Sequence, residues 1–155
     1  MALREAIFLA LLAIHLVAAA TWMGGLLFFI LAVVPAARAA PGADIPALLG
    51  RAFRPTAWIA LATLVLTGPL LLLVQGVDLH QLGRSAFWRS AFGVTLGIKL
   101  ILVLGVLGLT LWHDVVLGPR SQTASDPGPS RYVGRAIGLL SLAVFLAGTA
   151  LAQGL

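Results

Sequence analysis

The chain has 155 residues, 61% of them hydrophobic and 10% charged, with a formal net charge of +5 and a mean hydropathy of +1.07. A water-soluble domain of this size cannot hide so much apolar surface, so the composition excludes one and points to an integral membrane protein, read here as a single transmembrane domain over residues 1–155. No cysteine is present, which excludes disulfides, iron–sulfur clusters, thiolate metal sites and thiol catalysis; any metal must take His, Met, carboxylate or backbone ligands.

The predicted elements are four apolar spans, at about 6–35, 55–75, 92–113 and 135–153. Each reaches or nearly reaches the roughly 20 residues that cross a hydrocarbon core. The fold class is therefore all-α, an integral membrane four-helix bundle, with backbone polar groups satisfied inside each helix. The first span is long and must tilt or protrude. It is also far longer than the roughly 7–15 apolar residues of a signal peptide, so the Ala37–Ala40 region is read as following a retained helix.

Pro41-Gly42 and Pro46 break the chain after the first span. In the second span Thr56, Thr63 and Thr67 share one face, and Gly68-Pro69 predicts a kink. Such a hydroxyl stripe either lines a cavity or bonds its own backbone carbonyls. Gly76, Asp78 and Gly83 mark the second connector, where AFWRS (86–90) suits the head-group layer. Gly118-Pro119, Asp126-Pro127 and Gly128-Pro129 mark the third. Small residues at Ala20 and Gly24, at Gly93 and Gly97, and at Gly134 and Gly138 predict close helix contacts.

Arginine counts set the expected orientation. Arg38, Arg51, Arg54, Arg120, Arg131 and Arg135 flank connectors one and three, against Arg4, Arg84 and Arg89 on the other side. Six against three places connectors one and three in the cytoplasm and both termini outside. Trp58, Trp112 and Tyr132 then fall near the inner boundary, and Phe87 and Trp88 near the outer one. The same arginines beside anionic lipid account for the positive charge, and nothing in the chain suggests nucleic-acid binding. A weak internal repeat is visible: VVPAAR (33–38) matches VVLGPR (115–120), and IALATLVLTG and IGLLSLAVFLAG follow in matching places, as two parallel hairpins would.

The chemistry-bearing residues stand inside the spans. Lys99 is the only lysine and lies within the third apolar run. A charge at that depth costs roughly 2.5–3.5 kcal/mol on insertion scales, so it usually faces protein and has a function. Its bland alternative is snorkelling to the outer surface. His15 lies about 14 Å into the first span and Lys99 about 10 Å into the third, at 1.5 Å per residue. The two spans run in the same direction, so both groups fall in the outer half, where an intramembrane His15/Lys99 site is expected. His113 lies about 21 Å further inward and, with Asp114 and connector arginines, suggests a second, inner site. Lys99, Val103, Val106, Thr110 and His113 form one stripe of the third helix. Trp22, seven residues after His15, either stacks on a planar cofactor or packs against a helix. Met23 is the only methionine inside a span and makes a poor copper pair with His15 unless a second helix contributes. Candidate metal ligands are therefore His15, His113 and Met23; candidate cofactor-binding residues are His15, Lys99 and Trp22. No Ser-His-Asp or paired-carboxylate arrangement suggests hydrolysis.

Three stretches, IHLVAAATWMGGLLF, FRPTAWIALATLVLTGPLLLL and AFGVTLGIKLILVLGVLGL, resemble the membrane domain of CopD-type copper resistance proteins. The resemblance covers about residues 10–113. It is carried by His15, Trp22 with Gly24-Gly25, Leu66-Thr67-Gly68, and Gly93 with Lys99-Leu100. It implies handling or transport of copper ions at the bacterial inner membrane, with a possible metal-delivery or membrane-complex partner and possible homo-oligomers. The first-helix His and third-helix Lys-Leu are also similar to membrane-type protoporphyrinogen oxidases, which implies haem b as the alternative cofactor. A purely structural subunit of a larger membrane complex is the third reading.

Overall fold

The computed structural model describes residues 2–39, 45–117 and 128–152. Every long element is helical, and no strand occurs among the described residues. Helix α1 (Ala2–Phe28) continues through a π-helical turn, Phe29–Val33, into α2 (Val34–Ala39). Next come α3 (Ile45–Val74), the short α4 (Leu79–Leu82) and α5 (Ser85–Trp88), and α6 (Ala91–Trp112) with a second π-helical turn, His113–Leu117. Helix α7 (Gly128–Ala152) ends the described chain.

Four stretches are long and apolar enough to cross a membrane: Ala2–Ala39, Ile45–Val74, Ala91–Leu117 and Tyr132–Ala150. Leu9, Val17, Leu31, Ile59, Ile101 and Leu139 are each more than 60% exposed. Water would not tolerate so many, whereas lipid solvates them, so the protein is a multi-pass membrane protein in contact with the bilayer. The 38 residues of the first stretch extend about 57 Å at 1.5 Å per residue, well beyond a hydrocarbon core of about 30 Å.

Three boundaries differ from the sequence expectation, each at a proline. Helix α3 begins at Ile45, ten residues before the expected start, and contains Pro55 and Pro69. Pro46 falls in its first turn, where a missing N–H costs no helical bond. Pro55 removes a single interior bond without ending the helix. Gly128-Pro129, expected to break the third connector, instead opens α7 for the same first-turn reason. In the first span Pro35 stands two residues past the end of the π turn. A widened turn is a common accommodation where the regular bonding ladder is interrupted. The breakers Pro41-Gly42, Gly118-Pro119 and Asp126-Pro127, and Arg120, lie outside the described residues.

The chain forms two compact units, Met1–Leu79 and His80–Leu155. In the first, α1 and α3 pack as a hairpin. Gly25 permits this approach: a Cβ there would stand 2.2 Å from Cζ of Phe53. Gly24, the expected contact residue, has open space instead, with nothing within 4 Å. Ala18, Trp22, Val33, Ala60, Leu61 and Leu71 are buried. The end of α3 is closed by Gly76 at φ +94°, with Gly76 N–H bonded to Leu73 O and Val77 N–H to Leu72 O, each 3.0 Å. This is a Schellman motif, which needs the left-handed residue that glycine supplies. Arg4 Nε donates to the last carbonyl, Val74 O, at 2.8 Å, placing a cation at the negative end of α3.

In the second unit α6 packs on α7, and α5 packs across the start of α6. Ser90 caps α6 by accepting from Gly93 N–H at 3.0 Å, and its hydroxyl donates to Phe87 O at 2.6 Å. Trp88 Nε1 donates to Leu82 O at 2.8 Å. The Gly93/Gly97 face is thus occupied by Phe87 and Trp88 rather than by a long neighbouring helix. Leu96, Val106 and Ile137 form the apolar core.

Candidate functional site

His15 sits midway along α1, half-buried, with its ring turned toward α3. Its Nδ1 lies 2.7 Å from Oγ1 of Thr67, which is 6% exposed. The Thr67 hydroxyl donates to Thr63 O at 2.6 Å, and Thr63 repeats the pattern one turn earlier, donating to Ile59 O at 2.8 Å. A threonine inside a helix commonly bonds the carbonyl three or four residues back, because its side-chain rotamers bring Oγ1 within reach of that oxygen. The α3 backbone comes close here because residue 68 is glycine: a Cβ at Gly68 would stand 3.9 Å from Cε1 of His15. Pro69 follows, and its missing N–H leaves the Val65 carbonyl without its usual helical donor.

The hydroxyl stripe therefore divides. Thr56 and Thr63, with Thr21, line an open groove of about 450 Å³ between α1 and α3. Thr67 lies outside that groove's lining and meets His15. Sequence reading placed Thr67 in the stripe and in Leu66-Thr67-Gly68 without pairing it to the histidine. Polar residues on two apolar helices, 52 positions apart, are a signal only once the helices are aligned.

Lys99 belongs to the second unit, half-buried on α6. Its Nζ lies 3.4 Å from the position a Cβ would take at Gly148. Gly148 ends IGLLSLAVFLAG as Gly68 ends IALATLVLTG. Each hairpin thus sets a polar side chain of its first helix against a glycine of its second. The Lys99 stripe is the better-covered side of α6: Val106 and Thr110 are 4% and 8% exposed, while Val103 and His113 are half-buried. Thr110 Oγ1 is buried with no hydrogen-bond partner among the described residues.

The remaining candidates are dispersed. Trp22 is 7% exposed, Met23 is half-buried, and Met23 lies about 12 Å along α1 from His15 by helical rise. His113 opens the second π turn, with Nδ1 3.6 Å from Asp114 Oδ1. Among the described residues no three His, Asp or Glu side chains cluster closely enough to hold a metal ion. A closed, high-affinity copper centre needs several soft or imidazole donors, so the described residues do not fit a resident copper. They fit a single imidazole contact for a metal in passage.

Comparison with curated proteins and with solved structures finds no match. The family model of copper resistance protein D, CopD, matches residues 47–153. The matched region includes Thr67, Gly68, Gly93, Lys99 and Gly148, and begins after the α1 stretch that holds His15 and Trp22. With four helices able to cross a membrane and more than half its length matched, the chain belongs to the CopD family of copper resistance proteins.

Proposed function

We propose that this protein handles copper ions at the bacterial inner membrane, offering His15 as a transient ligand to copper moving through or along the bilayer. Copper is cargo in this reading. The observation that carries it is the His15–Thr67 pair: an imidazole held by a 2.7 Å hydrogen bond inside an apolar hairpin of a CopD-family chain. Imidazole is a competent ligand for copper, and the poverty of other donors keeps binding weak enough for release. Lys99 supplies a fixed charge within the membrane that tunes occupancy or pairs with an anionic group. Connectors one and three are cytoplasmic and both termini outside, from the arginine asymmetry. Delivery to a partner protein, and assembly of the two hairpins and of further copies into a working unit, belong to the same reading.

Metal analysis of purified protein, beside an absorption spectrum of the same sample, tests it. Copper retained above a His15→Ala control, with altered copper content in cells expressing that variant, is the expected outcome. Equal copper in both proteins refutes the role of His15. A haem spectrum that disappears with His15→Ala would replace copper by haem b.

A further inference from the structure

A threonine hydroxyl has one proton. At Thr67 that proton points to Thr63 O, 2.6 Å away, and a carbonyl oxygen can only accept. The same Oγ1 lies 2.7 Å from His15 Nδ1. Both contacts are hydrogen bonds only if Nδ1 carries a hydrogen and donates it to Oγ1. A neutral imidazole has one N–H, so its second nitrogen, Nε2, then holds the lone pair. We propose that Thr67 is the positioning residue of His15: it fixes the Nδ1–H tautomer and makes Nε2 the donor nitrogen toward a soft or borderline metal cation.

The arrangement is built into α3. The bond to Thr63 O is local to α3, so the Thr67 hydroxyl places its proton within its own helix and offers α1 only a lone pair. Burial of Thr67 keeps water from competing for its hydroxyl. An imidazole that donates through one nitrogen is oriented, and more basic at the other, which is how outer-shell groups tune metal-binding histidines. The Nδ1–H assignment follows from the two contacts of Thr67 Oγ1. Only the identity of the cation rests on the copper reading.

The test uses the full-length protein in lipid bilayers with ring-15N-labelled histidine. The His15 signals are assigned by their loss in His15→Gln. Wild type and Thr67→Ser are expected to show the Nδ1–H form. Thr67→Val, which keeps the shape and removes the acceptor, is expected to show Nε2–H or a mixture. Gly68→Ala, whose Cβ makes only an ordinary contact with the ring, is expected to match wild type. Titration with silver(I), a redox-inert stand-in for copper(I), should move the Nε2 signal in wild type and Thr67→Ser, with affinity about 10-fold or more weaker in Thr67→Val. An Nε2–H ring in wild type, or one tautomer shared by wild type and Thr67→Val, overturns the proposal. An Nδ1–H ring that shifts in Thr67→Val but binds no silver upholds the positioning role and removes the copper reading.

Discussion

Replacing Gly93 by alanine should cost this protein more stability than the same change at Gly24, Gly68, Gly97 or Gly105. A Cβ at residue 93 would stand 2.0 Å from Phe87 O, 2.8 Å from Phe87 C and 3.0 Å from Trp88 Cα. These are backbone atoms, so no rotamer change relieves them, and the two segments must separate by about 1 Å or more to restore ordinary contact distances. Overpacking of this kind costs about 1–3 kcal/mol. The same movement strains the Ser90 cap on Gly93 N–H, and losing an N-cap costs about 0.5–2 kcal/mol. Together these give about 1.5–5 kcal/mol, a fall of roughly 10- to 4,000-fold in the folding equilibrium. Unfolding of the helical signal by SDS titration from mixed micelles measures this, and hydrogen exchange over residues 82–93 locates it. Gly97→Ala is the internal control: its Cβ would meet the Trp88 ring at 3.5 Å, an ordinary contact, and should change stability by less than about 1 kcal/mol. Equal stability and equal protection in Gly93→Ala and Gly97→Ala would refute the close approach of α5 on α6.

Gly25→Ala should destabilise the first hairpin, with Phe53→Leu in the same chain restoring part of the loss; Gly24→Ala, with open space around it, should be near neutral in the same SDS titration. Arg4→Ala should speed hydrogen exchange at residues 72–77, because the cation at the C-terminus of α3 is removed; unchanged exchange there would show that the Schellman turn holds that end alone. Lys99→Met removes a buried-side ammonium at similar length, so membrane insertion and stability should rise, and a change in cellular copper content would separate a functional lysine from a tolerated one.

Composition alone settled that this chain is a helical membrane protein. Hydrocarbon admits few backbone arrangements, so four long apolar runs leave little choice. The ends of the helices were harder to read. Pro46 and Pro129 look like breakers in a one-dimensional pattern, yet a first turn has no helical bond for them to remove. His15 and Lys99 were conspicuous because polar groups are rare and costly at that depth.

What those groups touch belonged to the tertiary structure. Rotation of α1 against α3 brings Thr67 to His15 and chooses Gly25 over Gly24 as the point of closest approach. Apolar helices carry nearly uniform faces, so small differences in side-chain packing, summed along the whole interface, decide that rotation. Folding of α5 back onto α6 likewise turns Gly93 from a presumed helix–helix contact into the floor of a short turn. Hydrogen bonding within each helix is local and therefore written in neighbouring residues; the meeting of two helices depends on residues far apart, and only the folded hairpin shows which ones.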